Sequence, residues 1–70
     1  MTYIINGKKM TLPEKVTSLR ELCRHFKLEP CTVIVELNGT LYKEEAFSEV
    51  LLSTNDTIEI VHFMGGGGHP

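Results

Sequence analysis

Thr57-Ile58-Glu59-Ile60-Val61-His62-Phe63-Met64-Gly65-Gly66-Gly67-Gly68-His69-Pro70 decides how this chain folds. Its first half alternates, with Ile58 and Ile60 facing one way and Glu59, Val61 and Phe63 the other, which is the period-2 signature of a half-buried strand. Its second half cannot belong to a core. Consecutive glycines have no side chain to pack and lose the most conformational entropy on ordering. The expectation is a side-chain-free arm leaving the end of a sheet. At roughly 3.3–3.6 Å per extended residue, four glycines carry a terminal group on the order of 13–14 Å from the domain, through a channel too narrow for any Cβ. The chain divides into a folded domain over 1–64 and a flexible tail over 65–70.

Working back from that strand, the seventy residues suffice for one small domain in which every apolar face must be used. Tyr3-Ile4-Ile5 is a strand, and Asn6-Gly7 returns it through Lys8 to Leu12, with Tyr3 and Ile5 on one face and Ile4 on the other. Pro13 ends the pairing for want of an N–H. Ser18-Leu19-Arg20-Glu21 reads as a capping box, with the serine hydroxyl taking the amide three residues on and the glutamate reaching back. The helix it opens carries Leu19, Leu22, Cys23 and Phe26 at i, i+3, i+4 and i+7 as one apolar stripe. Leu28 tucks in behind it, and Pro30 stops any continuation. Val33-Ile34-Val35-Glu36-Leu37 is the next strand, turned at Asn38-Gly39 into Thr40-Leu41-Tyr42. Lys43 to Val50 fits one short helical turn, with Leu51 and Leu52 as anchors. The architecture these elements imply is α+β, a mixed four- to five-stranded sheet with one helix across one face.

Composition narrows function. Seven Lys and Arg against nine Asp and Glu give a net charge of -2, which argues against a dedicated nucleic-acid binder. No apolar run approaches the ~20 residues that span a bilayer, and the first residues lack a signal-peptide pattern, so a cytoplasmic protein with no membrane partner is expected. Cys23 and Cys31 have no metal-ligand spacing and read as free thiols, Cys23 in the core and Cys31 more exposed. His25 reads as solvated, His62 as lining an edge of the core, and Glu44-Glu45 as a wet loop. No catalytic constellation and no metal site is expected.

Val33 to Gly39, Asp56-Thr57-Ile58-Glu59-Ile60-Val61 and His62-Phe63-Met64-Gly65-Gly66-Gly67 together resemble the ThiS-type sulfur carriers of thiamine biosynthesis, a branch of the ubiquitin-like β-grasp family. The similarity covers nearly the whole chain. The resemblance implies a carrier and not an enzyme: a C-terminal glycine is adenylated by ATP on a ThiF-type adenylating enzyme, receives sulfur from a persulfide donor as a thiocarboxylate, and passes it to a ThiG-type thiazole synthase. No cofactor would be bound by the chain, since ATP is consumed on the activating partner. Gly65, Gly66 and Gly67 would thread into the partner. The reacting residue would be Gly68, or Gly67, after removal of His69 and Pro70. These two residues depart from carriers that end in glycine. Either a tail-trimming protease removes them, or they are foreign to the natural chain, or the chain is inactive as written. Two other readings share the glycine terminus, a ubiquitin-like protein modifier and a molybdopterin-synthase small subunit.

In the β-grasp order the first, third and last strands are neighbours. Ile4, Ile34, Val61 and Phe63 should then form one apolar patch on the sheet face away from the helix, next to the tail, where partners dock.

Overall fold

The computed structural model of the chain describes residues 1–63. Strand β1 (Thr2–Ile5) turns into β2 (Lys8–Thr11); helix α1 (Leu19–His25) follows; β3 (Val33–Leu37) turns into β4 (Thr40–Tyr42); and β5 (Thr57–His62) comes last. The five strands form one mixed sheet in the order β2-β1-β5-β3-β4. β5 is central, parallel to β1 and antiparallel to β3. Because β1 and β5 run parallel, a crossover must join them, and the helix with its connections supplies it.

Both Asn-Gly pairs form the expected two-residue turns. Asn6 and Gly7 have φ of 51° and 81°, Asn38 and Gly39 51° and 93°, positive at both central positions as a type I′ turn requires. The two asparagine side chains also reach into β5. The Ile60 amide donates to Asn6 Oδ1 (2.7 Å) and the Thr57 amide to Asn38 Oδ1 (2.9 Å), while Asn38 Nδ2 donates to Asp56 Oδ1 (2.9 Å). Asp56 Oδ2 in turn accepts the Ser53 amide at 2.7 Å and closes the turn before β5.

Ser18 caps α1, its Oγ accepting the Glu21 amide at 3.2 Å. The reciprocal half of the capping box is replaced. Glu21 Oε2 accepts from Arg24 Nη1 one turn on, at 3.3 Å. Leu19, Leu22 and Cys23 are buried as the stripe requires, and Phe26 packs against them half-buried. The helix ends well before Pro30. Lys27 adopts φ 58°, the Lys27 amide donates to the Arg24 carbonyl and the Leu28 amide to the Cys23 carbonyl, a Schellman closure with lysine where glycine is usual. A 3₁₀ turn over Pro30–Thr32, unmarked by any expected motif, then leads into β3, tied by Thr32 Oγ1 to the Glu29 carbonyl at 2.7 Å.

The core lies between α1 and the inner sheet face of Tyr3, Ile5, Val33, Val35, Leu37 and Ile58, with Leu12, Val16, Phe47 and Leu52 closing its margins. Phe47 follows the short 3₁₀ turn Glu44–Ala46. Of the two expected anchors, only Leu52 is one. Leu51 is 70% exposed. The segments around Ser18 and Leu51 run antiparallel, with the Leu19 amide on the Val50 carbonyl and the Leu52 amide on the Thr17 carbonyl, and consecutive residues of an extended bridge face opposite ways.

Asn38→Ala removes two side-chain hydrogen bonds and places a Cβ without local polar compensation at positive φ. It should cost about 2 kcal/mol, and Asn38→Gly should recover only the backbone share, read as urea midpoints at constant m. Lys27→Gly should add about 0.5–1 kcal/mol, because it relieves the left-handed residue at the helix end. The cysteines are both free, Cys23 buried and Cys31 exposed, and burial pushes the Cys23 thiol up. A chromogenic disulfide reagent should therefore titrate Cys31 at once in the native protein and Cys23 only on denaturation.

Candidate docking face and chain exit

The sheet face away from α1 has no second layer among the described residues. Alternation along β5 sends Thr57, Glu59 and Val61 to this face, and the antiparallel register of β3 sets Glu36 opposite Glu59 and Ile34 opposite Val61. On β4, Leu41 stands opposite Glu36 and is 64% exposed. Val61 is 52% exposed and Ile34 half-buried. An apolar row, Ile34–Val61, thus lies beside a row made of Leu41, Glu36 and Glu59.

Ile4 does not join that row. The parallel register places it opposite Thr57, and four residues of strand, roughly 13 Å, separate Thr57 from Val61, with Glu59 between. Ile4 instead shares its end of the face with Lys9 of β2. The expected four-residue patch is therefore split by register. Phe63 lies just beyond β5, 39% exposed, its amide donating to the Thr32 carbonyl at 3.0 Å. It lines a hollow of about 110 Å³ with Pro30, Cys31, Val33, Lys43, Glu44 and Glu45. Gly65, Gly66, Gly67, Gly68, His69 and Pro70 lie outside the described residues.

The helix side of the same strand end is different. Ile60 and His62 point towards it and, with Ile5, Met10, Phe26 and Leu28, border a cleft of about 400 Å³. α1 is only seven residues long, and its closure at Lys27 leaves this corner of the sheet partly covered. His62 is exposed on the rim of the cleft, and His25 is exposed with its ring edge-on to Phe26 at 5.0 Å. Among the described residues, no three His, Cys, Asp or Glu side chains gather as metal ligands, and no helix is long and apolar enough to cross a membrane.

Sequence reasoning missed Leu41 and the Glu36–Glu59 opposition. Leu41 was within reach, because a two-residue Asn38-Gly39 turn fixes Leu37 opposite Thr40 and hence Glu36 opposite Leu41. The glutamate pair was not, since it depends on the register between two strands that are not consecutive in the chain, with β4 and a long connection between them.

Comparison with known proteins accords with this arrangement. A family model described as the ThiS family matches residues 3–67. The sulfur carrier protein ThiS of Bacillus subtilis is 40% identical over 63 residues, which cover 90% of this chain and 96% of that protein. A thiazole synthase of Magnetococcus marinus is 39% identical over 70 residues, all of this chain and 21% of its own length. The crystal structure of the thiamine biosynthesis protein ThiS from Geobacter metallireducens superposes with a TM-score of 0.78 at 35% identity, covering 96% of this chain and 100% of that one. With a superposable fold and a family match that runs from β1 into the glycine run, the chain belongs to the ThiS family.

Proposed function

We propose that this chain carries sulfur for the thiazole moiety of thiamine on its own main-chain carboxylate. The family and the identity to a curated sulfur carrier make the chain a ThiS-type carrier. The finer chemistry follows from what a glycine end can do. A carboxylate does not exchange oxygen for sulfur directly, so one of its oxygens first attacks the α-phosphorus of ATP, pyrophosphate leaves, and an acyl-adenylate forms. The outer sulfur of a persulfide then attacks the acyl carbon and AMP leaves. A thiol breaks the resulting S–S bond, and the sulfur stays on the carrier as a thiocarboxylate.

None of these steps asks for a side chain of the carrier. The catalytic groups and the ATP belong to a ThiF-type adenylating enzyme, and the sulfur acceptor is a ThiG-type thiazole synthase. The domain's contribution is to hold and present. The observation that carries the reading is that the glycine run follows in sequence on β5, the middle strand of the five, whose end lies beside Ile34, Val61 and Phe63. Partners docked on those residues would sit next to the point where β5 ends and the glycine run begins in sequence. The two free cysteines suit a reducing, cytoplasmic setting.

The family match ends at Gly67, which supports Gly67 over Gly68 as the reacting terminus, in a form of the chain without Gly68, His69 and Pro70. Chains ending at Gly67, Gly68 and Pro70, each incubated with the adenylating enzyme, ATP and a persulfide donor, should separate these possibilities by intact mass. A gain of about 16 Da, sulfur for oxygen, is expected on the Gly67 form and none on the Pro70 form. Failure of both glycine-ended forms to gain sulfur would overturn the reading.

A further inference from the structure

We propose that the Glu36–Glu59 pair is a docking determinant of the open sheet face and receives a cationic side chain, a guanidinium, from thiazole synthase. This rests on the carrier reading above and names what its docking face selects for.

The two glutamates stand opposite each other by register. The Phe63 amide bonds the Thr32 carbonyl and the Asn38 amide bonds the Thr57 carbonyl, so two-residue alternation makes Glu36–Glu59 a hydrogen-bonded pair, with Cα atoms roughly 5.5 Å apart. Like charges directly opposite on neighbouring strands oppose the pairing that holds them. No described cation forms an ion pair with either glutamate. Among the described residues the one ion pair is Arg24–Glu21 on the helix, and Lys9, on the open face of β2, stands opposite Ile4 at the other end of β5.

The surroundings suit a partner group better than a free ion. Leu41 extends the row on β4, and Ile34 with Val61 forms the next row, so the carboxylates sit beside apolar surface that a protein partner would cover. As water leaves that surface, a pair of uncompensated carboxylates becomes more costly and a cation aimed at them more favourable. Guanidinium fits two acceptors on adjacent strands, because its planar fork directs several N–H groups at once, whereas an ammonium is a single point charge. Thiazole synthase is the occupant to which the molecule points. In the Magnetococcus marinus protein, sequence alignable with the whole of this chain lies within one thiazole synthase polypeptide, where the two parts meet at high effective concentration.

The test measures binding of the intact chain to the thiazole synthase of the same organism, by titration calorimetry at about 0.05 and 0.3 M salt. The double variant Glu36→Gln/Glu59→Gln should bind on the order of tenfold more weakly at the lower salt and lose most of the salt dependence, yet melt no lower than the wild type. Glu59→Lys, which can pair with Glu36 within the domain, should melt higher and bind more weakly still. A purely structural role would move stability and affinity together. Wild-type affinity and salt dependence in the double glutamine variant, with binding lost on Val61→Asp, would overturn the acidic determinant and leave the docking face standing. Unchanged binding on Val61→Asp, in a variant that melts as the wild type does, would remove the docking face as well. Weakened binding to the adenylating enzyme alone would show that the occupant is misassigned.

Discussion

Everything in this domain is fastened to β5. It is parallel to β1 on one side and antiparallel to β3 on the other, and the turn asparagine of each flanking hairpin completes its hydrogen bonding where those ladders run out. Asn6 serves Ile60 after β1 has ended, and Asn38 serves Thr57 and Asp56 at the strand's start. The backbone groups of a central strand cannot turn to solvent, so these two side chains do what an extra residue of strand would otherwise have to do. A chain leaving this strand is anchored by two ladders at once. A pull along it is resisted in shear by both neighbours, where an edge strand would have only one.

That arrangement explains which features could be read in advance. The Asn-Gly pairs were legible because positive φ at two successive positions is a demand few residue pairs meet, and the Ser18 cap because an unpaired helix amide needs a nearby oxygen. The in-and-out alternation of Val33–Leu37 and Thr57–Val61 placed Ile34 and Val61 on the open face without any tertiary knowledge. What failed was register and local backbone choice. Leu51 and Leu52 look alike in sequence, and only the bridge to Ser18 decides which is buried. Lys27 takes a left-handed conformation that no composition signals, because the Cys23 and Arg24 carbonyls need the amides that follow. Ile4 belongs to the right face, but the parallel stagger of β1 moves it to the wrong end.

The remaining asymmetry is between the two faces of the sheet. One helix of seven residues, aided by Leu12, Val16, Phe47 and Leu52, covers the inner face and leaves the corner beyond Lys27 partly open. The outer face is left with Ile34, Leu41 and Val61 among charges. The described residues supply no third layer, and on the docking proposal a partner's surface provides it. Apolar residues alone would accept any greasy surface. Two carboxylates held opposite one another restrict the choice, because a partner without a cation must bury them uncompensated. On the docking proposal, the same local repulsion between neighbouring strands discriminates among surfaces that could cover the sheet, and it does so beside the strand that precedes the glycine run in sequence.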